Sequence, residues 1–416
     1  MTTCEIQTIA FGGDGVAKIN GLAVFIPFTL PAEQVNIEIT QKKSRFARGR
    51  LTTIITSSPH RISPPCPYFG SCGGCQLQHS DYPYQLEIKR KFVEDSLNRI
   101  GKLYCFIPPV VPSTTSFGYR RHISLQLEFT HGSWRFGFAS YTGTFLPIQY
   151  CLLFDSEENT LLSNLEKTLS SLPPNLPGRL KILKSSSGYI LAFSFSHILS
   201  PEELSIFTVL ADLPSINGVI VQTADKEYSW KQTTLDCCYE EMTFSYSPFS
   251  FIQNHAEQSK NIYNYTLSLL QDAKKVLDLY CGIGISTLLL AKQNSQVLGI
   301  EINPIAIHHA QENAIRNGFS KDLFICASAD TASSYLSSFS PEAVLVNPPK
   351  IGLSSSVIQS LITSSAKKII YISCHPPTLA RDCALFAAQG FTLSNLQSFD
   401  MFPQTTHVET VVQLSR

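Results

Sequence analysis

The sequence has no excess of charge of either sign: 32 Lys and Arg are matched by 32 Asp and Glu. Binding of a polyanion through overall basicity is thereby excluded, and any nucleic-acid surface has to be a local patch. The N-terminus, MTTCEIQTIAFGGDG, lacks the basic start and apolar run of a secretory signal. No apolar stretch is long enough to cross a bilayer. The expectation is a cytoplasmic monomer that touches no membrane and needs no protein partner. No internal repeat or low-complexity tract occurs. Charged residues are only 15% and hydrophobic residues 44% of the chain, the balance of a globular rather than a disordered protein. What is present is length: 416 residues, enough for roughly two or three domains.

Residues 1–57 read as short strands separated by Gly turns, as in GGDGVAKINGLAVFIPFTL, with Val35, Ile37 and Ile39 alternating as in a half-buried strand. About five such strands suit a small oligonucleotide-binding-type barrel. Lys42, Lys43, Arg45, Arg48 and Arg50 stand around Phe46 with no acid among them. That is either a solvated strand edge or a contact for RNA phosphates. A Pro/Ser linker, SSPHRISPP, precedes a cysteine cluster. Tyr82 to Ile100 has the apolar spacing of an amphipathic helix ending at Gly101. Residues 105 to 245 are mostly strand-like, and 246–416 alternate strands with helices, which argues for a mainly parallel sheet covered on both faces.

The chain holds 12 Cys. In a cytosolic protein these are ligands, a nucleophile or buried thiols rather than disulfides. Cys66, Cys72 and Cys75, in CPYFGSCGGCQLQH, can wrap one centre, because Gly73 and Gly74 let the backbone turn and leave amides free to bond sulfur. The fourth ligand comes from elsewhere. Cys151 is the best candidate and His79 the alternative. Such a set holds zinc or an iron–sulfur cluster, and the long step from Cys66 to Cys72 favours [4Fe–4S].

VLDLYCGIGIS runs from a buried strand into a Gly-rich turn and a helix, with Asp278 at the strand end. Gly282 and Gly284 allow a ligand to approach the backbone, and Glu301 closes the next strand about 20 residues on, where an acid binds ribose hydroxyls. The third glycine of a dinucleotide turn is missing, which argues against NAD. Asn347-Pro348-Pro349 makes a stiff turn at the ligand-binding edge of such a sheet. Cys374 ends the apolar strand of KKIIYISCHPPTLARD, the place for a reactive group in a doubly wound fold. Cys281, Cys326 and Cys383 are assigned to packing. DMFPQTTHVETVVQL supplies His407 and Glu409, and a Glu screened from water can move a proton near neutral pH.

As a set, the four cysteines, FIQNHAEQ, LDLYCGIG, NPPK-x-G, YISC-x-P-x-TLARD and DMFPQT-x-HVE resemble the RNA uridine-5-methyltransferases over nearly the whole chain. The resemblance implies an α/β plus β architecture. Residues 1–57 would be a TRAM-type, OB-like barrel and 58–245 a central mixed β domain with an iron–sulfur cluster. Residues 246–416 would be a Rossmann-like class I methyltransferase domain, with the helix near 82–101 packed on it. It implies S-adenosylmethionine and [4Fe–4S] as cofactors and RNA as partner. A barrel together with a four-Cys cluster resembles the members acting on 23S rRNA most, since the transfer-RNA branch lacks both. Cys374 would be the nucleophile and Glu409 the general base. Gln253, Tyr280, Gly282, Gly284, Ile285, Glu301 and Asn347 would line the cofactor site, Cys66, Cys72, Cys75 and Cys151 would hold the metal, and Arg120 and Arg121 would hold RNA phosphates.

This chain departs from the family pattern at four places. Asn347 stands for the usual Asp, Lys350 for Arg, His375 for Asn and Ile285 for Asn. Four other readings compete: a transfer-RNA enzyme, an amino-methyltransferase suggested by the NPP turn, a non-catalytic RNA-binding protein with a vestigial pocket and, ranking lowest, a redox sensor built on the cysteine cluster.

Overall fold

The computed structural model describes residues 2–416 except 155, 175, 186–187 and 294–295. The N-terminal strands Thr2–Glu5, Thr8–Ile9, Gly15–Ile19, Leu22–Ile26, Gln34–Lys42 and Phe46–Thr56 form one curved sheet, one strand more than the sequence suggests. Ile6, Ala17, Val24, Ile26, Val35, Ile37 and Ala47 fill it. The alternation fails at Ile39, which is 40% exposed. There the last two strands approach their connecting turn, and the Gln34–Lys42 strand extends beyond the core residues, while Phe46–Arg48 stays paired with Leu22–Ile26. This end of the sheet carries the exposed Lys42, Lys43, Arg45, Arg48 and Arg50. Asp14 and Glu38 pair with Arg48 and Arg50 at 3.4 and 2.5 Å.

Helix Tyr82–Ser96 starts at Asp81, whose carboxylate accepts from the Tyr84 amide at 2.9 Å, with Pro83 in the first turn. It continues as a π-type turn, Leu97–Gly101, and Lys102 closes it in the left-handed region. Val93 and Leu97 share a core with Leu379, Ala380 and Cys383 far along the chain.

The central region is a seven-stranded sheet. One face is covered by helices Ser156–Thr168 and Pro201–Ala211, through Leu161, Leu162, Leu165, Phe207 and Leu210. The strand-like reading of 105–245 therefore misses two helices. The opposite face, with Leu183, Ile190, Ala192 and Ile220, packs on hairpin Leu235–Tyr239/Met242–Tyr246 and on Ile283, Leu288, Ala306 and Ala310. The hairpin thus shares its core with residues on both sides of the 245/246 boundary.

The C-terminal sheet places its strands in the order Phe324–Cys326, Gln296–Glu301, Lys275–Leu279, Ala343–Val346, Lys368–Ser373, Glu409–Ser415, Thr392–Phe399. The first five are parallel, and Glu409–Ser415 is antiparallel to both neighbours. The strand order reverses between Lys275–Leu279 and Ala343–Val346. Ligands bind outside the carboxyl ends of the strands at such a reversal.

Candidate active site

The sequence motifs meet at that edge. Tyr280 and Gly282 follow the first strand with φ of 65° and 56°. A Cβ on Gly282 would meet nothing within 4 Å, so this glycine leaves space for a ligand. Gly284 works differently. At φ 86° a Cβ there would lie 2.6 Å from Phe324 and 3.1 Å from Ala310, so it is Gly to let the helix pack. Ile285 is 4% exposed inside an apolar core. Its side chain cannot line a cofactor site, a correction to the sequence reading. A residue that opens a helix on its sheet-facing side is drawn into the core by its apolarity.

Glu301 anchors the turn. Its carboxylate accepts from the Gly282 amide at 3.2 Å and from the Asn303 amide at 2.9 Å. Asp278 lies beneath and accepts from Ser286 and Thr287 at 2.6 and 2.7 Å. Burial pushes its carboxyl up to about 6, against those two hydrogen bonds. A cavity of about 470 Å³ opens at this edge, lined by Tyr280, Asp330, Pro349, Ile351, Gly352 and Arg381 among others. Of the expected cofactor residues it includes Tyr280. Gln253 is buried and Asn347 half-buried nearby in sequence terms to their turns, the Asn347 amide donating to Leu279 O at 3.4 Å. Sequence reasoning passed over Asp330. It follows the third strand, Phe324–Cys326, by four residues, whereas Glu301 closes the second, and an acid near the end of each strand is the signal that could have found it.

Helix Pro376–Ala387 holds the NPPK loop in place. Thr378 Oγ1 donates to Lys350 O at 3.1 Å, Arg381 Nη2 to Ile351 O at 3.0 Å, and the Leu353 amide to Asp382 Oδ2 at 2.9 Å. Asp382 is fully buried and also accepts from Tyr371 Oη at 2.8 Å. At Gly352 a Cβ would strike Asp382 at 2.6 Å, and φ is 83°. The two motifs therefore fit only together.

Cys374 sits between the strand end and this helix, whose N-cap is His375. Strand pairing puts Ser373 opposite Thr410, so the next residues along, Cys374 and Glu409, adjoin. Glu409 is 5% exposed. Burial pushes its carboxyl up to about 7, with Lys350 pulling it down. The Cys374 thiol is pushed up to about 11 by burial and then by Glu409, while Lys350 and a backbone hydrogen bond oppose this. His407 is held neutral, its value near 4, by burial and by Lys350 and Lys89. His375 meets Phe11 of the barrel edge-on, with ring centroids 5.1 Å apart. A buried acid near neutrality beside a thiol, with one cation between them, is an arrangement for covalent addition and proton removal.

Cys66, Cys72, Cys75 and Cys151 line one cavity of about 220 Å³ with Arg120. His79 is not among its lining residues. The Gly74 amide donates to Cys72 Sγ at 3.4 Å. Burial pushes Cys75 up to about 12 and Cys151 to about 11. Among the described residues no three Cys, His, Asp or Glu side chains stand close enough to hold a metal ion. Arg120 and Arg121, expected to meet phosphates, are both half-buried, with Arg120 Nε and Arg121 Nη1 buried. Arg120 faces the thiols, and Arg121 lies 6.0 Å from the Tyr239 ring. Cys281 and Cys383 are buried as expected, but Cys326 is exposed.

Residues 222–416 match the family model described as tRNA (Uracil-5-)-methyltransferase, and residues 4–52 match the TRAM domain. A protein of Protochlamydia amoebophila, described as an uncharacterized RNA methyltransferase, is 39% identical over 99% of this chain and 97% of its own length. One from Bacillus cereus with the same description is 31% identical over 99% of this chain and 95% of its own. The solved tRNA (uracil-54, C5)-methyltransferase of Pyrococcus abyssi, in complex with S-adenosyl-L-homocysteine, has a TM-score of 0.79 at 24% identity, covering 99% of this chain and 100% of that one. At that identity the likeness is one of fold. It corrects one expectation, because a protein described as acting on tRNA covers the barrel too, so the barrel does not separate the two RNA classes.

Proposed function

Since the chain belongs to the RNA uracil-5-methyltransferase family, with an N-terminal TRAM domain, we propose that it methylates C5 of a uridine in RNA through a covalent adduct at Cys374. The observation that carries this is the adjoining of Cys374 and Glu409 across paired strands, at the sheet edge where the Gly282 turn opens. S-adenosylmethionine supplies the methyl group. Tyr280, Gly282, Glu301 and Asn347 bind it or the uridine beside it, with Gln253. The open face of Gly282 and the carboxylate of Glu301 on the turn suit a ligand with ribose hydroxyls.

Uracil C5 is a poor nucleophile. The Cys374 thiolate adds to C6 and makes an enolate whose C5 takes the methyl group. Glu409 then removes the C5 proton, the electron pair reforms the C5–C6 double bond, and Cys374 leaves. Lys350 favours the thiolate that begins the cycle and the carboxylate that ends it. The start of helix Pro376–Ala387 adds partial positive charge beside the sulfur. The base must leave its stack to reach this depth, and the exposed basic residues at 42–50 suit RNA phosphates.

The four thiols around one cavity suit a [4Fe–4S] cluster. Four Cys are the usual ligands of such a cluster. Cys66, Cys72, Cys75 and Cys151 would hold it, and it would supply a cross-link between residues 66–75 and the central sheet.

The RNA we propose is 23S rRNA, on the resemblance of the barrel and cysteine cluster. Transfer RNA is the second reading, favoured by the fold shared with the archaeal enzyme. Mapping 5-methyluridine in ribosomal and transfer RNA from cells with and without the gene tests both. A site lost from 23S rRNA supports the first, a site lost only from tRNA the second. No change in either rejects the function.

A further inference from the structure

The loop between the last two strands, residues 400–408, delivers His407 and Glu409. At its turn Gln404 is a non-glycine residue at φ 71° and only 4% exposed. L-residues rarely take that conformation, and a buried polar one persists there only when its surroundings hold it. What holds it comes from one distant stretch of chain. Its carbonyl accepts from the amides of Gln76 and Leu77 at 3.1 and 3.0 Å. Its amide donates to Gln85 Oε1 at 3.1 Å, and its side-chain oxygen accepts from Gln85 Nε2 at 3.0 Å. Gln76 reaches on to the Thr406 amide at 3.4 Å. One turn further along the helix, Lys89 Nζ donates to Asp400 Oδ1 at 2.5 Å and to Phe402 O at 2.9 Å, with Lys89 and Asp400 both fully buried. The backbone and side chain of Gln404, the Thr406 amide, Asp400 Oδ1 and Phe402 O are thus tied to residues 76–89, which begin directly after Cys75, while Tyr119 Oη donates to Pro403 O at 3.1 Å.

We propose that Gln85 and Gln404 form a positioning clamp that fixes the loop so that Glu409 meets the C5 proton above Cys374. The proposal rests on the methyltransferase reading above and deepens it. Neither glutamine touches substrate; they act through the carboxylate. Glu409 enters its strand five residues after Gln404, and an error of about 1 Å in a proton acceptor can cost two orders of magnitude in rate. The groups facing Glu409 are Cys374 and Lys350. A loosened loop admits water to this pair and lets the carboxyl return toward its ordinary range.

The test uses the full-length protein, uridine-containing RNA that the wild type methylates, and four readouts: kcat, the two KM values, the pH profile of kcat, and melting temperature. Gln85→Leu removes its three side-chain bonds, two to Gln404 and one to Ser80 O, at near-constant volume. Its kcat is expected to fall at least tenfold, its KM for S-adenosylmethionine to stay within twofold, and the rising limb near pH 7 to move to lower pH. Gln85→Glu keeps the acceptor for the Gln404 amide and is expected to recover most of the rate. Gln404→Gly keeps the backbone bonds and relieves the φ, so it folds even if Gln85→Leu does not; it is expected to lose about threefold in kcat with the same unchanged KM. A lowered melting temperature with kcat per folded molecule and the pH limb unchanged overturns the clamp. Failure of the wild type itself on every uridine RNA strikes the functional reading instead.

Discussion

Two cysteine environments in this molecule differ less in the basicity of sulfur than in what surrounds it. Around the 220 Å³ cavity, Cys75 is pushed up to about 12 and Cys151 to about 11 by burial. At the sheet edge Cys374 is pushed up to about 11 by the same cause. Burial alone therefore cannot tell ligand from nucleophile. The neighbours do. Among the described residues lining its cavity, Cys75 has other thiols and Arg120 around it and no carboxylate. Cys374 has a helix start, Lys350 and a buried Glu409 whose own proton is poised near neutrality. On the proposed reading, a thiol serves as a catalyst where the chain also supplies an acid–base partner, and as a ligand where it supplies more thiols.

The contrast is broken most severely by substitution. Cys374→Ser is expected to lower kcat by at least four orders of magnitude, with RNA binding nearly intact, as steady-state methyl transfer and filter binding would show. If Cys374→Ser retains a tenth of the rate, the covalent role is wrong. Glu409→Gln is expected to lower turnover more than a hundredfold while allowing the Cys374 adduct to accumulate.

The same substitution sharpens the comparison through stability. The folded-state pKa of Glu409, about 7, lies above its unfolded value of 4.5. Folding thus favours the protonated form. The benefit is complete below about pH 4.5 and is lost as pH rises through 7, where the buried carboxylate costs about 3 kcal/mol by linkage. Denaturant titrations should find Glu409→Gln more stable than wild type at pH 8 and no different at pH 4. Equal stability of the two at both pH values would mean that Glu409 is not held raised.

On the other side of the contrast, Cys75→Ser or Cys151→Ser should remove bound iron and acid-labile sulfide and lower the melting temperature. The fall in methyl transfer should be far smaller than for Cys374→Ser. Full iron content in both variants would remove those residues from the ligand set. The smallest effect belongs to Cys383→Ala, a fully buried packing thiol. It should cost on the order of 1 kcal/mol of stability and leave kcat within about threefold, read by thermal melts and initial rates.

What the sequence made legible follows from how local each signal is. The Gly-rich turn, the NPP turn and the strand ending at Cys374 are contiguous patterns, and each stands at the sheet edge where such patterns place ligands. Helix Pro201–Ala211 was equally local and was missed, although Ser200 and Glu203 form a capping box with Pro201 in the first turn. Ile285 was misplaced because a match to a motif position says nothing about which side of a helix faces the core. The Gln85–Gln404 contact was invisible, since the partners lie 319 residues apart and both are ordinary polar residues in their own segments.

The claim on which the account turns is that the Cys374 sulfur bonds to C6 of a uridine, and incubation with RNA carrying 5-fluorouridine together with S-adenosylmethionine tests it most directly, because fluorine at C5 leaves no proton for Glu409 to remove. The account predicts a denaturation-stable protein–RNA adduct, mapped by mass spectrometry to the peptide containing Cys374 and absent from Cys374→Ser. Methylation of uridine RNA without any such adduct, or an adduct on another cysteine, would contradict it.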